Sequence, residues 1–246
     1  MTIHHCPWPA APAVPVLAGD EVHIWCAALD QPEAAYFSLL SVDEQAKSRR
    51  FRFERDQRRF AVGRGILRII LGRYLNFPPE KLQFKYGEYG KPALDTNEFK
   101  STLCFNLAHS EELALYALTS NLEIGIDLEK IHPIPAVQQL AEQFFSPLEK
   151  IELNALPLNE KLEAFFSAWT RKEAYLKARG DGLSYPLDQF SVSMASQKPA
   201  RLLQAKEGAQ ELARWSLQSL TPAPGFIGAL AVASLEWRLE QWKFAE

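Results

Sequence analysis

The sequence predicts an α+β protein made of two similar subdomains, each a small antiparallel sheet packed with helices, in effect a pseudo-dimer within one chain. Three observations carry this. The 246 residues are 47% hydrophobic and 23% charged, an ordinary globular composition with length for one large domain or two small ones. Helix-start signals recur: Ser41-Val42-Asp43-Glu44 and Ser146-Pro147-Leu148-Glu149 each place a serine three residues before a glutamate, the pattern of a capping box. The serines are offset by 105 residues, and Gln83-Phe84 and Gln189-Phe190 stand in matching strands at an offset of 106. Each half then reads as short helix, longer helix, strand and hairpin.

In chain order, residues 1–18 are expected to be a mobile arm. Pro7, Pro9, Pro12 and Pro15 break up any apolar core and no basic segment precedes one, so the arm has no signal-peptide character. Glu21–Leu29 is β-branched and aromatic, the first strand. The Ser41 box opens a helix to about Arg50. A second helix over Asp56–Leu75 carries Phe60, Leu67, Ile70, Leu71 and Tyr74 at helical spacing, and Asn76–Pro79 ends it. Leu82–Tyr86 alternates as a strand, and Tyr86–Pro92 is a turn. Leu103–Leu107 and Leu113–Thr119 are strands, the former broken by Ala108–Glu111. After the Ser120-Asn121 turn, Glu123–Glu129 opens the second half. The subdomains thus divide as 19–121 and 122–246, with the functional site expected at their seam. The Ser146 box starts a helix with proline at its preferred first position. Pro157 and Asn159 interrupt, and a longer helix runs from about Lys161 to Ala178, closed by Gly180 and Gly182. Leu187–Val192 is a strand, and Arg214–Leu220 and Phe226–Ala233 form a hairpin.

Composition excludes several classes. Ala114–Leu118 and Ile227–Ala233 are too short to span a bilayer. The three cysteines, Cys6, Cys26 and Cys104, lack CxxC spacing, which argues against a disulfide framework or zinc site and suits a reducing cytoplasm. His4-His5-Cys6 has metal-ligand residue types but sits in the proline-rich arm. The net charge of −3 is uneven: residues 47–73 hold ten basic residues against Glu54 and Asp56, a +8 island in a chain whose remainder is −11. Such an island points to an anionic ligand.

The chemistry begins at Glu123-Ile124-Gly125-Ile126-Asp127-Leu128-Glu129. As a strand it puts Asp127 and Glu129 on one face, with Ile126 and Leu128 on the other. Taken alone, this reads equally as a polar strand face or a metal site. On the helix over 161–178, Phe165, Phe166, Trp169 and Leu176 form an apolar stripe, and Glu173 and Lys177 continue the face of Trp169 at i,i+4 spacing. An exposed ion pair at that spacing is worth little, but this one interrupts the stripe that should face the sheet. Glu173 would then join Asp127 and Glu129. Three carboxylates with neither Cys nor His nearby suit Mg²⁺, with manganese as a substitute. Magnesium usually shares itself with substrate phosphates, which again predicts a phosphorylated ligand.

Gly125–Glu129, followed by Trp169-Thr170-Arg171-Lys172-Glu173-Ala174-Tyr175-Leu176-Lys177 and Gly180-Asp181-Gly182-Leu183, resembles the two signature motifs of 4′-phosphopantetheinyl transferases. Phe105-Asn106-Leu107-Ala108-His109-Ser110 and Tyr89-Gly90-Lys91-Pro92 match two further elements in the right order. The resemblance covers about Ser41 to Val192 and is to the larger, surfactin-synthetase-activator type, a cytoplasmic monomer of two similar halves. It implies Mg²⁺-dependent transfer of the phosphopantetheine arm of coenzyme A to a serine of an apo acyl, polyketide or peptidyl carrier protein, with release of adenosine 3′,5′-bisphosphate. Asp127, Glu129 and Glu173 match the metal ligands, and Lys177 the lysine that steadies the pyrophosphate. Lys47, Arg59, Lys91, Pro92, His109 and Ser110 match or lie near coenzyme A contacts, and Lys172 beside the triad is taken as another. Asp127, Glu173 and Lys177 are the catalytic set, with Glu173 or a metal-bound water as base. Where the family often has a further lysine before Lys47, this chain has Glu44.

Two other readings compete. A coenzyme A-binding protein without transfer activity would not need three carboxylates. A nucleic-acid binder using the arginine-rich helix conflicts with the acidic remainder and with the lack of interleaved exposed aromatics. Arg49, Arg50 and Arg52, or the segment Ala136–Pro147, are expected to meet the carrier.

Overall fold

The computed structural model describes residues 6–12, 14–95, 101–195 and 198–245. The first half runs β1 (Glu21–Ala28), α1 (Ala34–Phe37), α2 (Val42–Ser48), α3 (Glu54–Leu75), β2 (Phe84–Tyr86), β3 (Pro92–Leu94), β4 (Leu103–Ser110) and β5 (Leu113–Ser120). The second runs β6 (Ile124–Lys130), α4 (Val137–Phe144), α5 (Pro147–Ala155), α6 (Leu158–Arg179), β7 (Phe190–Val192), β8 (Leu202–Ala205), α7 (Ala209–Arg214), β9 (Ser216–Leu220) and β10 (Phe226–Val232). A last strand, β11 (Arg238–Lys243), follows.

The internal repeat expected from the capping boxes is present in the topology. The first sheet orders its strands β11-β1-β5-β4 and the second β6-β10-β9. Setting β11 aside, each places its first strand beside its last, then the strand between. The small ribbons β2-β3 and β7-β8 also correspond. Both capping boxes form: Ser41 N–H donates to Glu44 Oε2 at 3.0 Å and Ser146 N–H to Glu149 Oε2 at 2.8 Å. They leave both glutamates buried, each against a cation on the following long helix. Glu44 meets Arg68 at 2.7 Å and Glu149 meets Lys172 at 2.8 Å. Arg68 and Lys172 hold the same position in two 22-residue helices.

Three cores stack through the molecule. Helix α3 packs on one face of the first sheet through Val62, Ile66, Leu67 and Ile70 against Trp25, Tyr116 and Leu118. The two sheets meet through Val22, Ile24, Leu115 and Ala117 on one side and Ile124, Ile126, Leu128 and Leu230 on the other. Helix α6 covers the outer face of the second sheet. Gly125 makes that last contact possible: a Cβ there would fall 2.1 Å from Ala174 O and 2.2 Å from Ala178 N. Only a glycine lets the strand approach this closely.

Several elements differ from expectation. Strand β4 continues through His109 and Ser110, because Ala108–Ser110 pair with Leu113–Leu115 of β5. Asn159 lies inside α6, where Pro157 supplies the N-terminal boundary. In Leu187–Val192 only the last three residues are extended, after a 3₁₀ turn. Within the arm, Cys6 and Trp8 pack on the inter-sheet core, and Pro9 O accepts from Lys243 N–H at 2.8 Å, so this stretch lies along β11. His4 and His5 lie outside the described residues. Strand β11 pairs in parallel with β1, so the second half contributes a strand to the first sheet. Among the described residues no helix is long and apolar enough to cross a membrane.

Candidate active site

The alternation of β6 divides its side chains as the sequence suggests. Ile124, Ile126 and Leu128 enter the inter-sheet core, so Gly125, Asp127 and Glu129 face α6. Asp127 is 5% exposed. Its Oδ1 accepts from Lys177 Nζ at 2.6 Å, while its Oδ2 is buried with no hydrogen-bond partner. Glu129 is half-buried and accepts from Ser110 Oγ at 3.1 Å. Ser110 Oγ in turn accepts Lys130 N–H at 3.0 Å, tying the end of β4 to β6. Glu173 stands one turn before Lys177 on α6.

Electrostatics link these groups. Burial raises the pKa of Asp127, opposed by Lys177. Glu129 and Glu173 are raised by burial and then by the negative charge of Asp127. His109 is solvent-accessible yet enclosed by surrounding groups; that enclosure, with Lys177 and Arg59, lowers its pKa. Three carboxylates whose charged forms are all disfavoured, one with an orphaned buried oxygen, have the chemistry that a hard cation would take. Yet among the described residues no group of three or more His, Cys, Asp and Glu side chains is drawn together closely enough to hold a metal ion. The donors therefore fit a divalent cation by chemistry and burial rather than as a finished cage.

A cleft extends from this cluster. One part is lined by Lys91, Pro92, Asn106, Leu107 and Lys177. Across Gly90, Pro92 and Leu107 it adjoins a recess walled by Lys47, Arg59, Arg64, Tyr86 and His109. Of the residues singled out in the sequence, Asp127, Glu129, Glu173 and Lys177 lie together, with Ser110 bonded to Glu129. Lys47, Arg59, Pro92 and His109 line the recess. Lys91 lies between, its ammonium donating to Ile124 O at 3.1 Å and Ala178 O at 3.0 Å, where burial lowers its pKa. Arg59 carries ion pairs to Asp30 and Glu111 at 3.1 and 3.0 Å.

Lys172 does not belong to this cleft. It is fully buried, paired with Glu149, and donates to Leu187 O and Phe190 O at 2.8 and 2.7 Å. Its place on α6, one residue before Glu173, turns it away from the carboxylates and into the α5–β7 core. Glu44, at the position where the family often has lysine, is also buried and does not face the cleft. Arg49, Arg50 and Arg52 are exposed between α2 and α3.

Three residues of the site were not singled out in the sequence: Arg64, Tyr86 and Asn106. Arg64 and Arg68 interrupt the apolar stripe of α3 at i,i+4 spacing, the same signal that marked Glu173 and Lys177. Asn106 is 4% exposed within an apolar strand, and its Oδ1 accepts Ile126 N–H at 2.8 Å, bridging the sheets beside Asp127.

Comparison with known proteins places both halves. Residues 25–121 match the family described as 4′-phosphopantetheinyl transferase, N-terminal, and residues 123–233 match the 4′-phosphopantetheinyl transferase superfamily. The chain is 42% identical over 240 residues to the 4′-phosphopantetheinyl transferase HetI of Nostoc sp., covering 96% of this chain and 98% of that one. It is 34% identical over 159 residues to the 4′-phosphopantetheinyl transferase Sfp of Bacillus subtilis, covering 65% and 68% respectively. A solved holo-[acyl-carrier-protein] synthase from Neisseria meningitidis aligns with TM-score 0.34 and 21% identity, covering 46% of this chain and 97% of that one.

Proposed function

Given that the chain belongs to the 4′-phosphopantetheinyl transferase family, we propose that it moves the phosphopantetheine arm of coenzyme A onto a serine hydroxyl of an apo carrier protein, releasing adenosine 3′,5′-bisphosphate. The observation that carries this reading is Asp127: a carboxylate 5% exposed, held by Lys177 on one oxygen and left without a partner on the other, between Glu129 and Glu173. Isolated burial of this kind is unfavourable and makes sense as a site completed by ligand.

The residues divide the work. Attack on phosphorus places charge on the non-bridging oxygens of the pyrophosphate. Lys177, half-exposed beside Asp127, supplies a fixed positive charge for them. Glu173, its pKa raised by burial and by Asp127, is placed to take the proton of the incoming serine hydroxyl. Ser110 orients Glu129. Lys47, Arg59 and His109 receive the nucleotide end, and Pro92 fixes the turn between the two parts of the cleft. A divalent cation, Mg²⁺ or Mn²⁺, held by Asp127, Glu129 and Glu173, would supply charge neutralisation at the pyrophosphate. In this reading 19–121 and 122–246 are the subdomains, the transfer site lies at their seam, and the enzyme acts as a cytoplasmic monomer without nucleic acid or membrane.

The test is intact mass of apo acyl, polyketide and peptidyl carriers after incubation with the protein, coenzyme A and Mg²⁺. A gain of one phosphopantetheine mass on at least one carrier is expected. No gain on any carrier, with coenzyme A still bound, would leave the binding-only reading.

A further inference from the structure

The stretch ahead of β1 brings together two thiols that the transfer reading does not use. Cys26, in β1, is 1% exposed within the inter-sheet core. Cys6 packs on that same core from the arm but keeps part of its surface open to solvent. Strand β11 sets their meeting. Lys243 stands opposite Cys26 in the parallel pairing of β11 with β1, and Phe244 N–H donates to Cys26 O at 2.8 Å. The other edge of Lys243 takes the arm: its N–H donates to Pro9 O at 2.8 Å, and Ala10 forms a single parallel bridge with it. With Trp8 also seated on the core, the chain turns Cys6 onto Cys26, and the Cys26 thiol donates a hydrogen bond to the Cys6 sulfur.

The two sulfurs are not equivalent. The hydrogen bond from Cys26 lowers the pKa of Cys6, and the Trp8 N–H and the Lys243 ammonium add to it against the opposing effect of burial. The same hydrogen bond and burial raise Cys26. A partly open sulfur beside a cation is the one that reacts as thiolate, and a buried neighbour in contact with it is placed to resolve the product. Cys104 has no such partner in β1: it lies on β4, with β5 between, and burial raises its pKa. Neither Cys6 nor Cys26 lines the cleft. The arm itself is lightly fastened, because Pro7, Pro9, Pro12 and Pro15 have no N–H to donate. A covalent link at Cys6 would therefore change how firmly it is held.

We propose that Cys6 and Cys26 are a peroxide-responsive dithiol whose disulfide fastens the arm to β1. The Cys6 thiolate attacks one oxygen of hydrogen peroxide. An S–O bond forms, the O–O bond breaks, and the departing hydroxide takes a proton to leave as water. Cys6 is then a sulfenic acid. The Cys26 sulfur attacks the Cys6 sulfur, forming S–S and breaking S–O, and the hydroxide that leaves takes the Cys26 proton as a second water. Two thiols are oxidised by two electrons and one peroxide is reduced to two waters. A thiol pool reverses the step by exchange, so in a reducing compartment the pair rests open and closes only under oxidant. The inference does not depend on the coenzyme A reading.

The experiment treats the reduced full chain with a small molar excess of hydrogen peroxide, blocks remaining thiols, and maps the product without reduction. A glutamate-specific protease cuts after Glu21, between the two cysteines, so a disulfide leaves the Cys6 and Cys26 peptides joined. Joined peptides are expected, with an intact mass about 2 Da lower that dithiothreitol restores. The melting temperature of the oxidised protein should rise by about 5–10 °C. In Cys26→Ala, dimedone should label Cys6 as the sulfenic acid, whereas in Cys6→Ala it should leave Cys26 unlabelled. Absence of the joined peptides, a link between two chains rather than within one, or a link of either cysteine to Cys104 overturns the proposal. The wild-type peptide map decides this even where Cys26→Ala does not fold. A disulfide that leaves the melting temperature unchanged overturns the fastening of the arm.

Discussion

Asp127 is buried against an apolar strand on one side and a helix on the other, and Lys177 answers only one of its oxygens. Glu129 and Glu173 add two further carboxylates in its field. Without a cation this arrangement repels itself, so Glu173→Gln should raise stability by about 1 kcal/mol, seen as a melting temperature higher by about 2–4 °C. The pH dependence follows from the same shifts. The folded pKa values of these three carboxylates lie above their unfolded values, so between the ordinary carboxylate range and the raised values the folded state holds more protons than the unfolded state. Their contribution therefore favours the folded state on the acid side and is lost as pH rises through that interval. The gain from Glu173→Gln should be larger at pH 7.5 than at pH 5; melting curves with chelator at the two pH values check it, and an equal gain contradicts the shared-charge account. These residues were legible in the sequence because each breaks an apolar period, Asp127 and Glu129 in a strand and Glu173 and Lys177 on a helix stripe. Lys172 misled because spacing shows neighbours along the chain but not which face meets the core. Its pairing with Glu149 depends on α5 folding back onto α6.

Between strand β6 and helix α6 the decisive feature is the closeness of two backbones. Gly125 lies against Ala174 and Ala178, and neither backbone atom can move aside as a flexible side-chain tip could. Gly125→Ala should destabilise by about 3 kcal/mol or more, or displace β6 and with it Asp127. Denaturant unfolding and transfer activity should fall together, and a stable, fully active variant would contradict the packing described. Lys91 reinforces the same junction, joining the β2-β3 turn to the backbones of β6 and α6. The long helices, capping boxes and hairpins were readable from local signals. The continuation of β4 was not, because its last residues become strand by pairing with β5. Strand β11 was missed for a related reason: Arg238–Lys243 is mostly polar, and its strand conformation comes from parallel pairing with β1, more than 200 residues away in sequence.

Across the whole molecule the two halves share a plan but not a site. The positions of α6 that hold Glu173 and Lys177 are held in α3 by Ile69 and Arg73. Where Lys177 meets Asp127, Arg73 lies over the ring of Trp25, 5.7 Å from its centroid. The first half thus has an apolar, aromatic counterpart of the acidic cluster, while its cations Lys47, Arg59 and Arg64 line the recess with His109. Trp25 is closed over by Trp242 and Phe244 from the far end of the chain, at ring separations of 5.4 and 6.4 Å. Trp242→Ala should therefore destabilise the first half by about 2–4 kcal/mol, measurable by denaturant unfolding, with coenzyme A affinity of the folded protein unchanged. Unaltered stability would show that β11 is dispensable to the first sheet.

The central claim is that the carboxylates at the seam serve transfer and not merely binding. Glu173→Gln tests it most directly, with transfer to an apo carrier and coenzyme A affinity measured on the same preparation. We expect transfer to fall by about 100-fold or more, the scale of a lost general base, with the Kd for coenzyme A within about threefold of wild type. Transfer at or near the wild-type rate, or loss of coenzyme A binding in step with loss of transfer, would contradict it.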